Sequence, residues 1–348
     1  MLAGIGTRLV QMLPAEPAHR ATVQALKLGL GGRQQVEADP ALEQTLWGLS
    51  FPNPVGLAAG FDKNAEVCDA MLALGFGFVE AGSITPRPQA GNPKPRLFRL
   101  KDDFAVINRM GFNNDGHEAA AARLAARRGR PGIVGVNIGA NKDSDDRIAD
   151  YVAGIVRFKG LASFYTANIS SPNTPGLRGL QDKAQLEELL ARMIEARGDD
   201  TTPILLKVAP DLDDTAIAEI AGVVLASNLD GLIVSNTTLA RPETLKSPHK
   251  GETGGLSGQP LFEPSTRVLG RFARHLDGRI PLVGVGGICS GADAYRKIRA
   301  GAHLVELYSA LAYAGPGLIK SIVEDLGRHL REDGFSSITQ AVGADWRS

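Results

Sequence analysis

The chain carries no surplus of either charge, because 38 Lys and Arg balance 38 Asp and Glu. A nucleic-acid binder needs a basic footprint, so that class is set aside. Cysteine is scarce. Cys68 and Cys289 stand far apart without C-x-x-C spacing, which argues against a zinc site and fits a reducing compartment. The six histidines show no ligand spacing, so no metal is expected. The run 141–146 resembles the start of a calcium loop, yet it lacks the sixth-position glycine and has Val152 where a glutamate belongs. No apolar run approaches the ~20 residues of a membrane-spanning helix, and no signal-peptide core is visible. An intracellular protein is expected, and the Asn-x-Ser/Thr matches at Asn168 and Asn236 are not read as glycosylation sites.

What is present is a rhythm. With 348 residues, 43% of them hydrophobic, the chain can bury a large core. Eight short apolar runs recur, at 54–60, 77–83, 133–138, 164–169, 203–208, 231–235, 281–285 and 303–308. Most lack polar alternation, as strands covered on both faces do. Helical segments lie between them, among them 64–74, 116–127, 184–197, 213–227, 264–276 and 292–300. Pro264 and Pro316 suit first helical turns, and Gly75 and Gly301 suit helix ends. Strand and helix repeated eight times predict an α/β fold, a (β/α)8 TIM barrel, with a doubly wound sheet as the rival.

Two insertions break the rhythm, at 86–115 and 237–263. The first carries a possible hairpin, 97–101 against 104–108. The second is rich in Gly, Pro and charge, the composition of a mobile lid. Both belong to the C-terminal face, where barrels place their active sites. Residues 1–45 stand outside the barrel 46–348. Leu2, Ile5, Leu9 and Leu13 recur at helical spacing, and Val23, Leu26 and Leu30 do so again after Pro14 and Pro17. This predicts two short amphipathic helices joined by a proline-rich turn, either capping the barrel or lying as an apolar platform on a membrane surface.

Polar residues gather at the strand ends. The fourth run leads into Asn168-Ile169-Ser170-Ser171-Pro172-Asn173-Thr174-Pro175-Gly176, a turn signalled by its prolines and glycine. A purely structural turn would read the same way. The two serines and two asparagines also suit holding a flat polar ring and removing a proton from it. Lys63 stands at the mouth after the first run, with Ser83, Asn137 and Ser235-Asn236-Thr237 at later ends. Lys207 interrupts the apolar run Ile204-Leu205-Leu206-Lys207-Val208. An ammonium there needs an anion, either a ligand or a carboxylate on a neighbouring strand. Gly284-Val285-Gly286-Gly287-Ile288 offers bare backbone amides, and Tyr308-Ser309 closes the last run, a pattern suited to phosphate. It is not a dinucleotide fingerprint, since Cys289 stands where glycine or alanine is needed. The run 254–258 either extends the phosphate cradle or hinges the lid. Phosphate at one end, a lysine at mid-barrel and amides across the mouth suit flavin mononucleotide, FMN, with Lys207 near the edge that becomes anionic on reduction.

Taken together, AAGFDKNAE (58–66), GSITPRPQAGNPKPRLFRL (82–100), INRMGFNN (107–114), NIGANKD (137–143), NISSPNTPGLR (168–178), SNTT (235–238), GGLSGQPL (254–261), GVGGI (284–288) and YSAL (308–311) resemble the dihydroorotate dehydrogenases. The resemblance spans essentially the whole chain in register. Members using soluble acceptors carry cysteine at the base position, whereas quinone-using members carry serine and an N-terminal helical extension. Ser171 and residues 1–45 therefore match the quinone-dependent class 2, and the absence of an anchor resembles its bacterial peripheral-membrane type. With that resemblance the platform reading of residues 1–45 takes precedence over simple capping.

The resemblance implies oxidation of (S)-dihydroorotate to orotate in pyrimidine biosynthesis, with one FMN per chain and ubiquinone or menaquinone as co-substrate. It implies Ser171 as the base that takes the C5 proton while the C6 hydride goes to the flavin, with Thr174 or a buried water as relay. Asn108, Asn168, Asn173, Asn236 and Thr237 match positions that hold the ring, and Lys63 with the backbone amides of Arg109, Met110, Gly111 and Phe112 would receive its carboxylate. The FMN positions carried over are Ala59, Gly60, Phe61, Asp62, Lys63, Ser83, Asn137, Asn168, Lys207, Ser235, Gly258, Gly287, Tyr308 and Ser309. Ser83 and Ser235 replace a threonine common in relatives and keep the hydroxyl. His19, Arg99 and Tyr308 match the quinone path. A monomer on the cytoplasmic face of the inner membrane is expected. The rivals are a soluble family member using fumarate or NAD, and a flavin-binding barrel without turnover.

Overall fold

The computed structural model describes residues 11–347. The first element lying wholly within them is helix α1 (Ala15–Lys27), with Val23 and Leu26 buried. Gln11 and Met12 are helical too, and the expected break between helical stretches falls at Leu13–Pro14, without reaching Pro17. Pro14 is the N-cap and Pro17 lies in the first turn, where a missing N–H leaves no hydrogen bond unmade. Leu30 lies beyond the helix end and is exposed, while Leu2, Ile5 and Leu9 lie outside the described residues. A small antiparallel hairpin follows, β1 (Gln44–Leu46) against β2 (Leu49–Phe51).

Then the barrel begins with β3 (Val55–Leu57), α2 (Cys68–Leu72) and β4 (Phe78–Ile84). Helix α2 is shorter than the 64–74 expected. The buried Asp62 carboxylate accepts the amides of Glu66 at 2.8 Å and Val67 at 2.7 Å, so these residues cap a turn instead of continuing a helix. The first insertion forms the expected hairpin, β5 (Leu97–Leu100) and β6 (Ala105–Asn108). There follow α3 (Gly116–Ala126), β7 (Ile133–Ile138), α4 (Arg147–Phe158), β8 (Phe164–Asn168), α5 (Lys183–Arg197), β9 (Ile204–Val208), α6 (Asp214–Ala226) and β10 (Gly231–Val234). The second insertion supplies β11 (Gly255–Gly258), which pairs with β6, so the two insertions share a three-stranded sheet in the order β11-β6-β5. Part of the segment read as a lid is thus a hydrogen-bonded strand. The barrel closes through α7 (Phe262–Leu276), β12 (Leu282–Val285), α8 (Gly291–Arg299) and β13 (Leu304–Leu307), with α9 (Leu311–Ala314) and α10 (Gly317–Glu332) behind it.

The eight strands β3, β4, β7, β8, β9, β10, β12 and β13 form one closed parallel barrel, which settles the choice against a doubly wound sheet. Strand residues two apart share a face, and this sets the barrel's contents in layers. Phe78, Phe164, Leu205, Ile233, Val283 and Leu304 fill the lower interior, with Phe51 of the hairpin packed beneath. Gly56 and Gly135 make room for these rings: a Cβ at either would sit within 2.5 Å of Phe78 or Phe164. Two residues further along three of these strands stand Glu80, Lys207 and Glu306, all buried. The lower end is plugged by aromatic rings, and polar chemistry starts above the plug.

Candidate active site

A cavity of about 1090 Å³ runs from mid-barrel through the C-terminal mouth to α1. Its lining brings together Ser171, Lys63, the asparagines 108, 168, 173 and 236, Lys207 and the glycine-rich strand ends. Four expected residues, Asp62, Arg109, Asn137 and Thr174, stand outside the lining.

The Asn168–Gly176 loop is braced from behind. The Tyr151 hydroxyl donates to the Asn168 carbonyl at 2.8 Å, Arg178 Nε donates to the Ser170 carbonyl at 3.1 Å, and the Ser170 hydroxyl donates to the Lys207 carbonyl at 2.7 Å. Ser170 thus ties the loop to β9, and Ser171 is left facing the cavity, buried, its Oγ accepting the Asn173 amide at 3.3 Å. Thr174 is buried in the same loop, but among the described residues no hydrogen bond joins it to Ser171.

The amides form a connected set. Asn168 Nδ2 donates to Ser83 Oγ at 2.8 Å and to Asn137 Oδ1 at 3.2 Å, and Asn236 Nδ2 donates to Asn168 Oδ1 at 3.0 Å. Ser83 also donates to Asn137 Oδ1. Asn173 Nδ2 donates to Asn108 Oδ1 at 3.2 Å, so the hairpin strand β6 and the fourth strand's loop meet across the mouth. Each amide presents both a donor and an acceptor, which suits a ring edge of alternating C=O and N–H. Asn137 acts from behind, holding Ser83 and Asn168.

The carboxylate-binding expectation needs one correction. The Arg109 amide donates to the Arg96 carbonyl at 2.9 Å, and its side chain pairs with Glu252 at 2.7 Å and stacks over Phe98. Arg109 is therefore occupied in holding the two insertions together. The amides of Met110, Gly111 and Phe112 donate to no acceptor among the described residues and remain available. Lys63 Nζ donates to the Gly60 carbonyl at 2.8 Å. Burial, then the nearby Arg96 charge, lowers its pKa to about 8, so a bound anion would be needed to hold its proton firmly.

At mid-barrel Lys207 Nζ lies 3.2 Å from Glu80 Oε2 and 3.5 Å from Glu306 Oε2. Burial alone would push the ammonium's pKa down, but the two carboxylates raise it above its ordinary value. The carboxylates come from across the interior, on β4 and β13, and not from the adjoining strands β8 and β10. Sequence reasoning singled out the lysine and passed over both acids. The signal was there: each is the lone charge in an apolar run, as Lys207 is.

The donors at the strand ends suit FMN. The amides of Gly287, Ile288 and Ser309 donate to no acceptor among the described residues, which gives an anion three free N–H groups. Gly287 has φ +78, and a Cβ there would lie 2.5 Å from the Phe262 backbone. Gly258 has φ +91, and a Cβ would lie 2.4 Å from the Phe104 carbonyl. Only glycine fits these two close approaches. Ser309 Oγ donates to Ser257 Oγ at 2.8 Å, joining the eighth strand end to β11. With Lys207, Ser83, Ser235 and the 59–61 backbone also lining the cavity, these donors fit phosphate at one end and a flat polar ring at the other.

The cavity's remaining end reaches α1. His19 Nε2 donates to the Phe61 carbonyl at 2.8 Å, and its ring meets Phe61 edge-on, 5.4 Å between centroids, with Tyr308 beside both. Burial, then the Lys63 charge, lowers the His19 pKa to about 4. Arg99 donates to the Leu13 carbonyl just ahead of α1. Sequence reasoning missed the main tether. Arg96 grips Glu16 of α1 with two hydrogen bonds, 2.8 and 3.2 Å, in a buried pair.

The family model described as dihydroorotate dehydrogenase matches residues 41–330. A protein of Parvibaculum lavamentivorans named dihydroorotate dehydrogenase (quinone) is 59% identical over 337 residues, 97% of each chain. One of the same name from Novosphingobium aromaticivorans is 58% identical over 342 residues, again 97% of each. The crystal structure of the Eimeria tenella enzyme DHODH in complex with ferulenol superposes with a TM-score of 0.92 at 40% identity, covering 96% of both chains. A barrel whose free amides, serine loop and asparagine set share one cavity, matched over nearly its full length by such relatives, leaves one assignment: the chain belongs to the dihydroorotate dehydrogenase family, among its quinone-type members.

Proposed function

We propose that this chain oxidises dihydroorotate to orotate, a step of pyrimidine biosynthesis, and hands the electrons to a membrane quinone. FMN, when bound, supplies the two-electron acceptor between the two substrates. The observation that carries this reading is the shared cavity, in which a buried serine, an amide set, free glycine amides and the α1 entrance adjoin one another. Ser171 takes the C5 proton. Thr174, three residues on, is the relay to be tested. Asn108, Asn173 and Asn236 hold the pyrimidine edge, Asn168 serves ring and cofactor together, and Thr237 lines the mouth beside them. Lys63 and the amides of residues 110–112 receive the substrate carboxylate. Gly258, Gly287 and Ser309 hold the phosphate, while Ala59, Gly60, Phe61, Ser83, Lys207, Ser235 and Tyr308 surround the ring system. Asp62 and Asn137 shape that surround from behind.

Residues 1–45 form the quinone entrance and 46–348 the catalytic barrel. Exposed Met12, Leu13, Leu28 and Leu30 flank α1, and an apolar rim of this kind suits a membrane interface. No helix of the described residues is long and apolar enough to cross a membrane. The protein then sits peripherally, as a monomer, on the cytoplasmic face, with His19, Arg99 and Tyr308 along the quinone path.

The test is anaerobic addition of dihydroorotate while the oxidised flavin absorbance is followed. Bleaching reversed by a ubiquinone analogue, and not by fumarate or NAD, is expected. Reversal only by a soluble acceptor would keep the family chemistry and overturn the quinone assignment. Deleting residues 1–40 should abolish quinone turnover while dihydroorotate still bleaches the flavin; unchanged quinone kinetics would refute the entrance.

A further inference from the structure

Glu306 lines the cavity, yet the reaction just described gives it no task. Its own strand's neighbours place Gly56 of β3 and Val285 of β12 beside it, and neither can titrate. The charged groups facing it lie across the barrel: Lys207 of β9 at 3.5 Å, and Glu80 of β4, which holds the same Nζ at 3.2 Å. Both glutamates are fully buried. The core thus holds one ammonium and two carboxyl groups.

Donors are not shared equally between the two acids. Glu80 accepts from Lys207, from Asn137 Nδ2 at 3.1 Å and from the Ala59 amide at 3.1 Å. Glu306 has only the long contact to Lys207, and its Oε1 has no partner among the described residues. Two ionised carboxylates would leave a net negative charge sealed in the core, and like charges at such range do not both ionise readily. The proton belongs on the acid with fewer donors.

We propose that Glu306 is kept as the neutral acid, so that the Lys207 charge is shared with Glu80 alone, and that ionisation of Glu306 shifts the redox potential of the bound flavin. This rests on the reading that FMN occupies the cavity with Lys207 at its ring. Burial, then the charge of Glu80, raises the Glu306 pKa to about 8, which agrees with the donor count. Below that pH the trio is neutral overall. Above it the proton leaves for solvent, and a net negative charge appears beside the group that must accept electrons. Reducing the flavin in that state draws one proton from solvent back onto Glu306, because added negative charge nearby raises an acid's pKa. Each pair of electrons then brings one more proton than it does at lower pH. Glu306 acts through Lys207 and is a positioning residue, not a catalytic one.

The experiment is a spectroelectrochemical titration of the holoenzyme and of Glu306→Gln, an uncharged near-isostere, from about pH 6 to about pH 9.5. The holoenzyme's midpoint potential should fall more steeply above about pH 8, by one proton per two electrons, and Glu306→Gln should lack that steepening. Parallel profiles for the two proteins would overturn the proposal. Infrared spectra of the unmodified protein give a second reading that needs no variant. A protonated-carboxyl C=O band that shifts in heavy water and fades as pH rises through about 8 is expected; its absence at neutral pH would equally overturn it. A protein that purifies and remains without flavin absorbance would instead overturn the FMN reading, while the infrared band still tests the proton on Glu306.

Discussion

In the lower half of the barrel Phe51, Phe78, Phe164 and Leu205 fill the interior with rings and methyl groups. Two residues along the same strands, Glu80 and Lys207 stand in their place. The comparison shows how one backbone serves two ends. Below, shape matters, and the small partners Gly56 and Gly135 are cut to the rings. Above, donors and charges matter, and several amides have no partner among the described residues. An unmade hydrogen bond costs stability, so the upper end is held in place by the dry plug beneath it and by braces such as Tyr151 and Arg178 behind it.

Changes at the upper end should therefore remove chemistry and spare stability, and changes at the lower end should do the reverse. The largest effect is expected for Ser171→Ala. Flavin reduction by dihydroorotate should slow by about 10²–10⁴-fold, measured by stopped-flow absorbance, with flavin content unchanged. Near-normal reduction would remove Ser171 from its role, and Thr174→Val separates the relay from the base. Phe78→Ala should instead cost about 3–5 kcal/mol of stability, read from denaturant midpoints, while the folded fraction still reduces its flavin at the usual rate. A variant that stays stable would show that the plug can collapse around the gap. Asn236→Ala removes the side chain that donates to Asn168 and Ser170. Orotate binding should weaken by about 1–3 kcal/mol, and an unaltered orotate affinity would mean that Asn236 only buttresses the loop.

The smallest effect concerns protons. His19, His117 and His303 each have a pKa lowered to about 4, chiefly by burial. His303 Nδ1 accepts the Leu282 amide at 3.2 Å, and an accepting nitrogen cannot carry a proton. The unfolded chain binds protons on these groups at higher pH than the folded one does. Their stabilisation is full above the ordinary histidine value of about 6.5 and is lost as pH falls toward 4, on the order of 1 kcal/mol each. Denaturant midpoints measured across that interval should drop, and His303→Gln should flatten the slope. A slope that stays the same would assign the acid sensitivity elsewhere.

Much of this was legible in residue order. Each of the eight apolar runs marks one barrel strand, because a strand covered on both faces is apolar nearly throughout. The serine loop and the glycine pairs were readable because polar residues and glycines rarely cluster at strand ends without a use. The break ahead of α1 was read as reaching Pro17, because proline disrupts a helix interior but suits its first turn. Helix α2 was overextended because the Asp62 cap depends on amides folding back over it. Arg96 was passed over for a related reason: its partner Glu16 lies 80 residues away, and nothing local marks the pair.

The sequence by itself determined the strand and helix rhythm, the barrel that follows from it, and the identity of the serine, amide and glycine groups. These are encoded locally, in periodicity and in the chemistry of short motifs. Only the tertiary structure decided which charges meet. Closing eight strands into a ring set Glu80, Lys207 and Glu306 facing one another across the interior, on strands that are not all neighbours. It also spent the Arg109 amide on Arg96 and left those of Met110 to Phe112 without an acceptor among the described residues. Charge pairing and hydrogen-bond satisfaction depend on distances through space, and residue order alone does not carry them.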